Sequence, residues 1–150
     1  MKKLALFLPI AALLLAGIAV AQQYQEITVT ANVQPYVSVW FSYNAVDFGE
    51  VYPNNFYPAP FPETRYVLLE TNVYADEYIW YAQDWPLDLY FASEVGSIPT
   101  TYDIMVGTTP QLVSSYGSGS FTIYHQYWLY VPPLPQGVYA ARVAIEYRPL

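Results

Sequence analysis

Apolar and polar side chains alternate with period two along most of this chain. Ile27-Thr28-Val29-Thr30-Ala31-Asn32-Val33 reads as a strand with one buried face, Ile27, Val29, Ala31 and Val33. After Pro35 the pattern resumes over Tyr36–Tyr43, with Val37, Val39, Phe41 and Tyr43 opposite Tyr36, Ser38, Trp40 and Ser42. A short strand is predicted over Ala45–Val51, and the proline-rich stretch Tyr52–Pro62 is predicted to be a loop. Further strands are expected at Thr64–Thr71, Tyr78–Ala82, Leu87–Ala92 and Thr101–Val106. Gly107–Ser120, with Pro110 and Gly117-Ser118-Gly119, reads as a connection. Phe121–Val131 is the longest strand, and Pro132–Gly137 turns it into a last one, Val138–Arg148. There Tyr139, Ala141, Val143, Ile145 and Tyr147 share a face. About eight short strands with turn signals between them predict an all-β fold, a single antiparallel β-sandwich of jelly-roll or immunoglobulin-like type spanning residues 35–150.

The first 21 residues follow a different pattern. Lys2 and Lys3 precede the apolar stretch Leu4–Ala19, and Ala19-Val20-Ala21 has the small-x-small form of a cleavage site. A membrane anchor over Leu4–Val20 is the rival, since spanning helices need roughly 17–25 apolar residues. Pro9 interrupts the stretch, however, and no basic stop-transfer cluster follows it. Residues 1–21 are therefore expected to be a cleaved signal peptide. The mature chain would be secreted and free of the membrane, with residues 22–34 as an N-terminal strand segment starting at Gln22.

Composition narrows the function classes. Beyond the leader only Arg65, Arg142 and Arg148 oppose 12 carboxylates, a formal charge of −9. Such a chain has no electrostatic footing on phosphate backbones, which sets nucleic acid aside. There is no cysteine, so no disulfide staples the fold, and no lysine after Lys3, so Lys–Asn isopeptide bonds are excluded. No Asn-x-Ser/Thr sequon occurs either. Stability must come from packing, hydrogen bonding and assembly.

Signals for catalysis are weak. Asp76, Glu77, Asp84 and Asp88 lie near Trp80, Tyr81 and Trp85, but they match neither a glycosidase pair nor a calcium loop by spacing. They read as solvated carboxylates around a strand and its turn. His125, the only histidine, falls in register with Phe121, Ile123, Tyr127, Leu129 and Val131, which suits a hydrogen-bonded core or edge histidine. Gly117-Ser118-Gly119-Ser120 is not a nucleophile elbow, and no nucleotide or zinc motif is present. No enzyme activity, cofactor or metal is expected.

The opposite face of the same strand carries Thr122, Tyr124, Gln126, Trp128 and Tyr130, and Tyr36 and Trp40 repeat this on the earlier strand. Either loops cover these aromatics, or Tyr36, Trp40, Tyr124, Trp128 and Tyr130 meet another subunit or a sugar.

An amphipathic strand at a mature N-terminus suits a subunit that lends the strand to a neighbour. Burying the larger of Ile27, Val29, Ala31 and Val33, at roughly 1.5–3 kcal/mol each, yields on the order of 5–9 kcal/mol. Ladder hydrogen bonds add to this, against an association cost of about 4–15 kcal/mol. Folding the strand back into its own domain avoids that cost and is the competing outcome.

In the leader ending Ala19-Val20-Ala21, the strand Glu26–Val33, the motif Val46-Asp47-Phe48-Gly49-Glu50-Val51-Tyr52-Pro53 and the closing Gly137-Val138-Tyr139 strand, the chain resembles secreted β-sandwich subunits of TasA-type bacterial matrix fibres and of archaeal bundling pili and threads. The absence of cysteine, the lack of lysine beyond Lys3 and the abundance of Tyr and Pro look more archaeal than bacterial. The resemblance implies head-to-tail homopolymerisation by donor-strand complementation into an open extracellular filament, with a role in cell–cell adhesion, bundling with neighbouring filaments or biofilm. The alternative is a monomeric secreted carbohydrate-binding module using Trp40, Trp80, Trp85 or Trp128 as platforms. A glycosidase-like enzyme is the third reading.

Overall fold

The computed structural model describes residues 28–83 and 85–150. Leader residues 1–21, residues 22–27 with Ile27 among them, and Asp84 lie outside the described residues. Residues up to Val33 and residues Gln34–Leu150 form separate units. In the first, Thr28–Val33 forms no regular element, and Val29 and Val33 are 87% and 73% exposed.

The second unit is all-β, with two antiparallel sheets. Its strands are β1 (Val37–Phe41), β2 (Asn55–Pro58), β3 (Tyr66–Thr71), β4 (Ala75–Tyr81), β5 (Asp88–Val95), β6 (Ile104–Met105), β7 (Gln111–Tyr116), β8 (Gly119–Val131) and β9 (Val143–Pro149). The larger sheet runs β1-β3-β8-β5-β6, with β2 also on β8, and the smaller runs β7-β4-β9. β8 is long enough to pair β3 through Gly119–Tyr124 and β2 through Trp128–Val131, while β5 takes its other side. Between them the inner faces close an apolar core. Ile79 of the small sheet packs with Leu89, Phe91 and Tyr127 of the large one, and Val113, Val143 and Ile145 border the cluster. Val67, Leu69 and Ile123 form a second cluster with Tyr116, bordered by the inward residues of β1.

Four expectations from periodicity are corrected. Ala45–Val51 is not a strand: Gly49 adopts φ 68°, and its N–H donates to Asp47 Oδ1 at 2.8 Å. That side-chain turn breaks the extended backbone, although Val46 and Phe48 still pack inward. The Tyr52–Pro62 loop contains β2, which pairs only with β8, so Pro58 can sit on an edge without interrupting a ladder. The Gly107–Ser120 connection contains β7, which is formed by pairing with β4. The last strand starts at Val143 rather than Val138. β4 ends at Tyr81, opposite Val143, and leaves residues 138–142 without a ladder partner there.

Candidate functional site

Two places in the fold concentrate chemistry beyond ordinary packing, a polar cluster inside the sandwich and an aromatic surface outside it. The inner cluster begins with alternation on β4. Ala75, Glu77, Ile79 and Tyr81 point inward, so Glu77 is carried into the core with no exposed surface. His125 reaches the same point from β8 and is equally buried, with Nε2 2.8 Å from Glu77 Oε1. Around them, Tyr147 of β9 donates to Glu77 Oε1 at 3.1 Å. Tyr116 of β7 and Ser93 of β5 donate to Oε2 at 2.6 and 2.7 Å. Tyr43, just beyond β1, places its hydroxyl 2.6 Å from His125 Nδ1 and 2.8 Å from the Tyr127 hydroxyl.

Burial alone would resist ionisation of the Glu77 carboxyl. The electrostatic attraction of the His125 ring and hydrogen bonds from His125, Tyr116 and Ser93 outweigh it and hold Glu77 below the ordinary carboxylate range. The His125 ring thus joins two groups, with Nε2 facing Glu77 and Nδ1 facing the Tyr43 hydroxyl, which continues the network to the Tyr127 hydroxyl. Burial, reinforced by the Glu77 charge, pushes the Tyr116 and Tyr147 hydroxyls well above the usual phenol range and keeps them donors. The expectation that Glu77 and Asp76 are solvated is thereby overturned: Glu77 is enclosed and Asp76 is 8% exposed, accepting from Ser115 Oγ at 2.6 Å. A buried carboxylate with both oxygens satisfied suits cross-sheet fixation. It ties β4, β5, β7, β8 and β9 to one point. Among the described residues no group of three or more His, Cys, Asp or Glu is arranged to hold a metal.

A second polar tie closes the gap between β2 and β3. Arg65 is 5% exposed and its Nη groups donate to Pro60 O, Ala59 O and Gln126 Oε1, while Gln126 Nε2 donates to Ala59 O at 3.1 Å. Ala59 N–H and His125 N–H keep the ladder on β8 and the neighbouring chain in step, bonding Tyr127 O and Arg65 O. The left-handed Phe61 (φ 57°) and the single 3-10 turn Pro62–Thr64 are thus an excursion from one interrupted edge.

On the outer face of the large sheet, register aligns Trp40 with Leu68 and Thr122, and Tyr66 with Tyr124. Trp40, Tyr66 and Tyr124 form a tilted row with ring centroids 5.9 and 6.1 Å apart. Trp40 is 54% exposed beside an open depression of about 330 Å³ that includes Ser38, Glu70 and Ser120. The Tyr36 hydroxyl donates to Glu70 Oε1 at 3.2 Å. Trp128 belongs to a different group: Tyr102, from the β5–β6 connection, lies 6.1 Å from its ring and Tyr90 is aligned with it on β5, so Trp128 is buried. Tyr130 stands half-buried at the end of the same face.

Of the donor-strand set, Ile27 lies outside the described residues, while Val29, Ala31 and Val33 are all exposed. The chain entering β1 is held by Asn72. Its Nδ2 donates to Gln34 O at 2.8 Å and its Oδ1 accepts the Tyr36 N–H at 2.8 Å. Sequence reasoning missed the Glu77–His125 cluster. Its signal was the phase of β4, legible once that strand is begun at Ala75 instead of Tyr78.

In comparisons with known proteins, no family model, no curated protein and no solved structure gives a significant match to this chain.

Proposed function

We propose that this chain is the structural subunit of an extracellular filament, assembled head to tail by donor-strand complementation after removal of residues 1–21. The filament would join cells or bundle with its neighbours. The observation that carries this reading is the Thr28–Val33 segment. It alternates apolar and polar residues as a half-buried strand does, yet Val29 and Val33 are exposed and belong to no sheet. Exposed apolar strand residues of this kind are stabilised by pairing with another chain. The Asn72 hydrogen bonds fix the backbone at Gln34 and Tyr36, where such a strand would join its own domain.

A second reading is favoured by the Trp40 row. An exposed indole beside Ser38, Ser120 and Glu70 has the mixture of flat apolar surface and hydrogen-bonding groups that sugars require. It is compatible with either a monomer or a filament.

The experiment is electron microscopy of the secreted protein and of a variant lacking residues 22–33. The full mature chain should form long fibres. The truncated chain should remain monomeric and unfold at lower denaturant, and a synthetic peptide of residues 25–33 should restore its stability without restoring fibres. Fibres growing normally from the truncated chain would refute the reading.

A further inference from the structure

The two sheets are unequal in width: the large one has six strands, five of them side by side as β1-β3-β8-β5-β6, against three in the small one. Strands lie about 4.8 Å apart, so the large sheet has inner surface with no strand opposite it. The deficit appears at one mouth of the sandwich. β1 ends the large sheet there, and its inward Val37, Val39 and Phe41 are only half-buried. On the adjacent β3, by contrast, the inward Val67 and Leu69 are 0% and 1% exposed. Across the mouth β9 ends the small sheet. Its inward Val143, Ile145 and Tyr147 are likewise half-buried, and the Tyr147 ring lies 6.3 Å from that of Phe41.

Building on the filament reading, we infer that the free edge of β9 is the acceptor. There Ile27–Val33 of a second copy adds a fourth strand to the small sheet and covers the inward side chains of β1. The lengths agree: β9 pairs β4 without interruption over seven residues, Val143–Pro149, and Ile27–Val33 alternates over the same length. The chemistry agrees as well. The mouth presents Val, Ile, Phe and Tyr side chains, and the segment brings Ile27, Val29, Ala31 and Val33 with no charge to desolvate.

The other edges fit less well. β7 pairs β4 through a register shift between Glu77 and Tyr78, a bulge that twists an edge away from further pairing, and its inward Tyr116 is already 5% exposed. β6 has two residues, too few to hold a strand. Pairing on the free edge of β1 would widen the sheet that is already wider and leave the donor's apolar face without a layer opposite it.

The cysteine-free chain allows a direct test. In filaments of the full mature chain, Thr28→Cys or Thr30→Cys on the outward face of the donor is combined with Ala144→Cys or Glu146→Cys on the outward face of β9. Matching pairs are made with Leu112→Cys and Ser115→Cys on β7, and with Ser38→Cys on β1. A disulfide requires Cα atoms about 4.4–6.8 Å apart, so under mild oxidation only true neighbours link. The expected result is a ladder of covalent oligomers on non-reducing gels from at least one β9 pair and from none of the others. A ladder from β7 or β1 pairs, or filaments giving no ladder at all, overturns β9 as the acceptor while leaving strand donation standing. Filaments that persist without residues 22–33 overturn the filament reading itself and this assignment with it.

Discussion

The Glu77 carboxylate is the most consequential single group inside the sandwich, and Glu77→Gln isolates its charge with little change of shape. Four donors converge on its two oxygens: His125 Nε2 and Tyr147 on one, Tyr116 and Ser93 on the other. Glutamine leaves one oxygen and puts an NH₂ where the other stood, facing donors. Either two of them lose their acceptor or the amide is left unpaired. Orphaned buried groups cost about 1–3 kcal/mol each, and two or more are created here. A loss of about 3–5 kcal/mol at pH 7 follows, a large part of the roughly 5–15 kcal/mol that holds an ordinary domain. In urea titrations followed by tryptophan fluorescence, with a slope of about 2 kcal/mol per M, the midpoint should fall by about 1.5–2.5 M. The sign of the pH dependence is fixed by the depressed carboxyl. Its contribution is fully present above the unfolded-state value and is lost as pH falls through the lower native value. The gap between wild type and Glu77→Gln should therefore narrow on acidification below about pH 4.5, while the other carboxylates cancel in the comparison. A gap under about 1 kcal/mol at pH 7, or one that does not narrow in acid, would refute the assignment of a charged, stabilising Glu77.

Two further experiments probe other levels of the structure. Val29→Asp places a carboxylate on the apolar face of the N-terminal strand and should abolish sedimentable polymer, whereas Thr28→Asp, on the opposite face, should be tolerated; equal harmlessness would count against an inserted strand, and equal severe damage would mean that both faces are buried. Arg65→Lys keeps the charge but gives up the planar fork that spans Pro60 O, Ala59 O and Gln126 Oε1, so a loss of about 1–3 kcal/mol and faster amide exchange along β2 are expected, with unchanged exchange at β2 as the contrary result.

Much of this architecture is written locally. Period-two alternation of β-branched and aromatic residues determined that the unit Gln34–Leu150 is all-β, and it marked β1, β3, β5 and β8 within a few residues. It also determined which side of β8 faces in: His125 was already in phase with Ile123, Tyr127 and Leu129, and all four are buried. What periodicity could not determine was pairing. β7 has Gly and Pro before it and Ser within it, and it is a strand because β4 lies beside it. Residues 138–142 alternate well and are not a strand, because β4 stops opposite Val143. Nor could it supply chemical partners. Glu77 resembles any surface carboxylate in sequence, and only the meeting of β4, β5, β7, β8 and β9 brings His125, Tyr116, Tyr147 and Ser93 to its two oxygens. Alternation is a property of neighbouring residues along the chain, whereas a ladder partner or a counter-charge is a property of residues dozens of positions away, and those distances close only when the sheets form.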